Sequence, residues 1–114
     1  EKTSEFEKAI GSLKSIYAKW NDAGALASNT ARIALAGPVA SLQSIKREAN
    51  DLRVPDCLDA AKKSLIDGMT HTIDGYLDFM AGGIRELNAA TSFRKAKDSF
   101  AEFERNENSC TPPA

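Results

Sequence analysis

The sequence predicts an all-α fold, a four-helix and mostly up-down antiparallel bundle. Apolar residues recur at three- and four-residue spacing along almost the whole chain, and no segment shows the strict alternation of a β-strand. The connections between these periodic segments are short, which favours antiparallel neighbours. With 114 residues, of which 42% are hydrophobic and 27% charged, the chain fits one domain. We expect the bundle to span 1–107 and a tail to follow at 108–114.

The first helix is predicted at about 4–23, with Ser4 as its N-cap and Gly24 at its C-terminal end. One apolar stripe defines it: Phe6, Ile10, Leu13, Tyr17 and Trp20. Aromatic side chains with a polar atom are common in bundle cores, so core packing is favoured over an aromatic-lined ligand pocket.

The second helix is predicted to begin after Thr30 as N-cap and to end at Val54-Pro55. Its apolar stripe is Ile33, Leu35, Val39, Leu42, Ile45, Ala49 and Leu52. The pair Gly37-Pro38 lies inside this pattern, and the stripe keeps its phase across it. Since proline removes a backbone donor and clashes with the preceding turn, we expect a kink or a short break there, and we favour one kinked helix over two separate helices. Arg32 would lie in the first turn, where a cation is unfavourable, so it is expected to have a carboxylate partner.

The third helix begins at Pro55 and carries two adjacent apolar stripes. The first stripe is Leu58, Ala61, Leu65, Met69, Thr72 and Tyr76. The second is Ile66, Ile73, Leu77, Met80, Ile84 and Leu87. Two stripes predict contact with two neighbours, which are either core helices or a second subunit.

The fourth helix is indicated by Phe93, Ala96, Phe100 and Phe103, and the polar segment 106–114 is predicted to be coil. The chain reversal before this helix is expected at Gly82-Gly83 or, alternatively, within 88–92.

The two cysteines, Cys57 and Cys110, stand at nearly equal distances along the chain from Gly82-Gly83. If the chain reverses there, equal rise per residue brings them together. We therefore predict a disulfide that holds the C-terminal tail against the start of the third helix. A metal pair or two free thiols are the alternatives, but neither C-x-x-C nor a histidine partner is present. Such a bond persists in oxidising compartments, so we expect an extracytoplasmic location.

A metal site is weakly suggested by Asp67, His71 and Asp74, with Asp78 in the same register. Helical spacing places them on one face, and bundle proteins that bind metals use carboxylate and histidine pairs of this kind. That face points away from the apolar stripe containing Leu65, so a solvated acidic surface is the favoured interpretation. We expect no cofactor.

Charge and motifs exclude several functions. The net charge of -1 and the alternation of basic with acidic residues argue against nucleic-acid binding and against a membrane-surface helix. No apolar run approaches the length of a membrane span. No nucleophile motif or glycine-rich phosphate loop is present, so the chain is not expected to be an enzyme.

Four stretches carry a resemblance to a known class: RIALA at 32–36, LQSIKRE at 42–48, LRVPDC at 52–57 and the segment 69–80. Together they resemble small uncharacterised helical domains of bacterial lipoproteins. The resemblance covers about 20–80 and implies export and tethering through a lipid on an upstream cysteine. It is a packing pattern and implies no functional residue.

Two functions are consistent with these observations. The first is a non-catalytic extracytoplasmic interaction module of a bacterial lipoprotein, with an unidentified protein or envelope component as partner. The second is a carrier that holds a small apolar ligand or a metal in the bundle. The sequence does not choose the oligomeric state.

Overall fold

The computed structural model describes residues 2–110, with side chains from Ser4 onward. Four helices make up this part of the chain, and no strand occurs in it: α1 (Lys2–Ser28), α2 (Ala36–Asp51), α3 (Asp59–Ala81) and α4 (Gly83–Ser109). Short 3₁₀ turns, Arg32–Ala34 and Asp56–Leu58, precede α2 and α3. Consecutive helices pack against each other in a rod of 54 × 22 × 19 Å. The predicted all-α bundle is confirmed.

The core is formed by the predicted stripes of α1, α3 and α4, together with Leu35 and the stripe of α2. Its largest fully buried side chains are Phe103, Leu13, Leu35, Leu42, Leu58, Leu65 and Met69. Trp20 is also buried, and its ring lies 6.2 Å from that of Phe100. Tyr17 packs edge-on against Phe103 with 5.2 Å between ring centroids. Core packing is therefore the role of Tyr17 and Trp20.

The first helix is longer than predicted, because it passes Gly24 and ends at Ser28. Three consecutive side chains form hydrogen bonds at the C-terminal end of this helix. Ser28 Oγ and Asn29 Nδ2 donate to the carbonyl of Ala25, and Thr30 Oγ1 donates to the carbonyl of Leu26. These bonds cap carbonyls of the last turn of α1, and the Leu26 carbonyl also accepts the Asn29 N–H. Thr30 thus closes α1, and its predicted role as N-cap of the second helix is wrong.

The predicted kink at Gly37-Pro38 is also wrong, because α2 begins only at Ala36. Pro38 lies in the first turn, where backbone N–H groups have no intrahelical acceptor, so the missing donor costs nothing. The first α2 bond is donated by Val39 N–H to the Leu35 carbonyl at 2.9 Å. Gly37 has no Cβ to clash with the proline ring, which permits helical angles before it. The chain is broken before the proline instead of bent at it.

The reversal between α3 and α4 lies at Gly82, with φ +70° and ψ −167°. Gly83, at φ +57°, opens α4. Both conformations are in the left-handed region that favours glycine. The predicted turn at Gly82-Gly83 is therefore found, and the alternative within 88–92 is not. As a result α4 begins ten residues before Phe93, the first apolar residue of its predicted stripe.

The C-terminal segment is helical to Ser109, so the predicted coil from Asn106 is wrong up to that residue. Asn106 Nδ2 donates to Ser64 Oγ at 2.9 Å, which holds the last turns of α4 on α3. Cys110 follows and is bonded to Cys57, as predicted, with 5.6 Å between the Cα atoms. The predicted tail at 111–114 lies outside the described residues.

Candidate functional site

Most of the large exposed apolar side chains lie at one end of the rod. Ile33 is 96% exposed, Ile84 83% and Leu87 77%. Leu26 and Leu77 are also exposed, but to a smaller fraction. They come from the last turns of α1 and α3, the first turn-and-a-half of α4 and the 3₁₀ turn before α2. With the half-buried Met80, we call this set the apolar tip: Leu26, Ile33, Leu77, Met80, Ile84 and Leu87. The disulfide and both ends of the described chain lie at the opposite end of the bundle.

The apolar tip contains the later residues of the second predicted stripe of the third helix, from Leu77 to Leu87. Ile73, lower on the same stripe, is buried and Ile66 is half-buried. Ile33, Ile84 and Leu87 belong to the predicted apolar stripes, which could be core or interface, and all three are exposed in the structure. Because the break at Gly82 redirects the chain, residues after it cannot continue a face of α3. α3 does contact two neighbours, α2 and α4, as predicted, but the stripe residues beyond Gly82 are left uncovered.

The charged groups beside the tip are paired. The Arg32 guanidinium forms an ion pair with Glu86 of α4 and lies 4.3 Å from the centroid of the Phe79 ring. Arg85 donates two hydrogen bonds to Asp78 Oδ1, from Nη2 at 2.9 Å and from Nε at 3.1 Å. Arg32 thus has the carboxylate partner that its position predicted. The pairing leaves the surface around the tip close to electrically neutral.

An open cleft of about 410 Å³ lies beside the tip, between the α1–α2 connection and the α3–α4 hairpin. Its lining is mainly apolar: Ala27, Ser28, Thr30, Leu35, Tyr76, Phe79 and Phe93. Tyr76 and Phe93 meet edge to face, with ring centroids 5.0 Å apart. Burial raises the pKa of the Tyr76 hydroxyl above its ordinary value, so this group is a neutral donor at physiological pH. The cleft can hold a small apolar group with one hydrogen-bonding atom.

The residues predicted as a weak metal site do not come together as a ligand set. Asp67 and Asp74 are exposed on α3, and His71 is half-buried between them. Asp78, in the same register, is held by Arg85. Within the part of the chain that the structure describes, no group of three or more His, Cys, Asp and Glu side chains is arranged to hold a metal ion. The acidic face of α3 is therefore interpreted as a solvated surface.

One structural feature bears on location. The Cys57–Cys110 disulfide is compatible with an oxidising compartment outside the cytoplasm. Among the described helices, none combines the length and apolar character that crossing a bilayer requires.

Comparisons with family models, with curated proteins and with solved structures give no match to this chain.

Proposed function

We propose that the protein is a non-catalytic, extracytoplasmic interaction module that binds an apolar helix face of a partner protein through its apolar tip. The observation that carries this proposal is the concentration of exposed apolar side chains at one end of an otherwise polar rod. Contiguous exposed apolar surface on a folded domain marks interaction sites more often than chance exposure does.

The surroundings of the tip select the chemistry of the partner. Because Arg32 and Arg85 are paired with Glu86 and Asp78, no free cationic cluster is available to attract an anionic lipid surface or a nucleic acid. A neutral apolar surface is complemented by another apolar surface. Leu77 and Met80 near the end of α3 and Ile84 and Leu87 near the start of α4 flank the same turn, so an apolar helix face of a partner can contact both helices there.

The placement of the tip suits a tethered protein. The resemblance to lipoprotein domains implies an anchor joined upstream of Lys2, at the end of the rod that also holds the disulfide. An anchor there directs the tip away from the membrane by the length of α1, which at 1.5 Å per residue is about 40 Å. A partner at that distance is within reach without contact with the bilayer.

Site-specific photo-cross-linking tests the proposal. A photoreactive residue replaces Leu87 in the tip or, as a matched control, the exposed Ala60 near the opposite end of α3. We expect a discrete adduct from position 87 in cells that make the protein. The adduct should be lost on adding Ile84→Ser, and the purified partner should bind the wild type at least tenfold more tightly than that variant. Equal adducts from positions 87 and 60, or binding insensitive to Ile84→Ser, contradict the proposal.

A second candidate function, a carrier of a small apolar ligand, is favoured by the cleft at Tyr76, Phe79 and Phe93. Its volume of about 410 Å³ falls in the range of small-molecule sites. Titration with the apolar dye N-phenyl-1-naphthylamine tests it. If the protein is a carrier, the fluorescence of the bound dye should rise to saturation. Thr30→Trp, which fills the rim of the cleft, should abolish this fluorescence, and Ile84→Ser should leave it unchanged. Fluorescence lost with Ile84→Ser instead assigns the dye to the tip.

A further inference from the structure

The Phe79 ring lies between the apolar cleft and a guanidinium group. It is one of the residues that line the cleft, and the Arg32 Cζ atom stands 4.3 Å from its centroid. Thr30, two residues before Arg32 in the chain, also lines the cleft. The guanidinium of Arg32 therefore lies at the edge of the cleft.

Arg32 is held in place by two side chains of the α3–α4 hairpin and still has donors for a third group. Its guanidinium packs on the Phe79 ring, and its Nη2 donates a hydrogen bond to Glu86 Oε1. Within the described part of the chain, Glu86 is its one hydrogen-bond acceptor, and the Arg32 side chain is 45% exposed. A guanidinium has five N–H donors, so most of them remain available in a group that is already ordered. Such a group suits a carboxylate, which can accept through both of its oxygens.

The hydroxyl groups of the cleft direct an acidic group towards Arg32. Ser28 Oγ and Thr30 Oγ1 already donate their hydrogens to carbonyls of α1, which leaves only lone pairs for a ligand. Because lone pairs repel a carboxylate, this side of the cleft does not favour an anion. Tyr76 offers one neutral O–H donor, and the aromatic rings offer apolar surface. None of the described lining residues is acidic.

We infer that the cleft binds a small amphiphilic carboxylate of the fatty-acid class. Its hydrocarbon chain lies along Phe79 and Phe93, and its carboxylate accepts hydrogen bonds from the donors of Arg32 that Glu86 leaves free. The inference rests on the second candidate function, in which the cleft is a ligand site, and not on docking at the apolar tip. A single arginine serves one acidic group, whereas an anionic membrane surface requires a cationic cluster.

Glu86 limits how strongly the carboxylate is held. It orders the guanidinium of Arg32, but its own negative charge repels the negative charge of the ligand. Both side chains of this ion pair are partly exposed, so water screens the repulsion without removing it. Glutamine at position 86 keeps an acceptor for Arg32 and removes the charge. Glu86→Gln should therefore strengthen the binding of a carboxylate, a gain that a purely structural role of the ion pair does not predict.

The test titrates the isotope-labelled protein with decanoate and, separately, with 1-decanol, which has the same chain length without the charge. Both ligands are kept below the concentrations at which they aggregate. NMR shifts of the Thr30, Tyr76 and Phe93 amides report binding at the cleft and give the two dissociation constants. We expect decanoate to bind more tightly than decanol by at least about fivefold, because its hydrogen bonds to Arg32 are charge-assisted.

Variants of the ion pair show whether the guanidinium is responsible. Arg32→Gln should abolish the preference for decanoate and leave the affinity for decanol unchanged. Glu86→Gln should tighten the binding of decanoate alone, by about twofold or more. The double variant Arg32→Gln/Glu86→Gln has the net charge of the wild type, and it should behave like Arg32→Gln. The control is Arg85→Gln, which removes a positive charge from the same end of the rod, where Asp78 holds it, and should preserve the preference.

The possible failures have distinct results. Equal affinities for decanoate and decanol, or a preference that Arg32→Gln retains, overturn the inference and leave the cleft as a neutral site. A preference that Arg85→Gln also abolishes is due to the overall charge and overturns it too. If Arg32→Gln weakens the binding of both ligands, Glu86→Gln decides, because only a carboxylate beside Arg32 gains affinity from it.

The location of the shifts separates this inference from both proposed functions. If neither compound shifts the cleft amides, the carrier function fails together with the inference. Shifts confined to Ile84 and Leu87 assign the hydrocarbon chain to the tip and overturn the inference as well. Docking of a partner at the tip is tested by the cross-linking experiment, which uses neither compound.

Discussion

At the scale of single residues, close approach of α3 and α4 depends on two buried glycines. A Cβ at Gly68 would lie 2.7 Å from the Phe100 ring, and one at Gly75 would lie 2.6 Å from the Phe93 ring. Contacts this short require the helices or the rings to move. The two phenylalanines thus lie directly on the α3 backbone, which brings α4 close enough for Asn106 to bond to Ser64.

Gly68→Ala should therefore destabilise the protein by about 1–3 kcal/mol, the usual cost of overpacking a core. The control is Gly11→Ala, because a Cβ at Gly11 meets nothing within 4 Å. That change should stabilise α1 by about 0.5–1 kcal/mol through helix propensity alone. Urea unfolding of both variants measures the difference, and a stabilised Gly68→Ala protein would contradict the predicted close approach.

Glu107 is the one described residue whose buried side-chain oxygen, Oε2, has no hydrogen-bond partner. Burial raises the pKa of this carboxyl, Lys14 opposes the shift and Glu104 adds to it. A raised pKa means that the folded state binds more protons than the unfolded state between the ordinary and the raised value. The free energy of unfolding should thus fall as the pH rises through this window, and the loss persists at neutral pH.

Glu107→Gln removes that charge, so we expect a more stable protein at neutral pH and a flatter pH dependence of the free energy of unfolding just above pH 4.5. Glu7→Gln, at an exposed position of α1, is the control and should leave the dependence unchanged. Urea titrations at several pH values measure both variants. A Glu107→Gln variant with the wild-type slope would show that this carboxyl does not contribute.

At the scale of elements, the position of Pro38 distinguishes the observed start of α2 from a kink. In the first turn, proline costs no hydrogen bond and restricts the unfolded chain. Pro38→Ala should therefore lower the free energy of unfolding by about 0.4–1 kcal/mol. If Pro38 lay inside a longer helix, replacing it would instead raise the free energy of unfolding, by about 3 kcal/mol. Thermal and urea unfolding of this variant determine the sign.

At the scale of the whole molecule, the disulfide closes the hairpin formed by α3 and α4. It joins cysteines 53 residues apart and fixes the last turn of α4 to the start of α3. Removing both cysteines as Cys57→Ser/Cys110→Ser should lower the free energy of unfolding by about 4 kcal/mol, the loop-closure value for a ring of this size. Urea unfolding without reductant measures this. If the double serine variant and the reduced wild-type protein lose the same free energy of unfolding relative to the oxidised wild type, the loss is due to the missing bond and not to the serine side chains.

The sequence by itself determined the helical class, most of the core and the cysteine pair. Three- and four-residue periodicity reports which side chains share a helix face, and Leu13, Leu42, Leu65 and Phe103 are buried for that reason. Cys57 and Cys110 could be paired because antiparallel helices rise equally on both sides of one turn.

The tertiary structure decided where helices begin and end, and therefore which apolar residues remain uncovered. Periodicity persists across a break, so it could not show that α2 starts at Ala36. The glycine pair did predict the turn at Gly82, but not which side chains around it stay uncovered. Whether a stripe is covered depends on the lengths and positions of the neighbouring helices, which are non-local properties. The apolar tip exists because Ile33, Ile84 and Leu87 keep the helical pattern of a core but have no helix packed over them in the described chain.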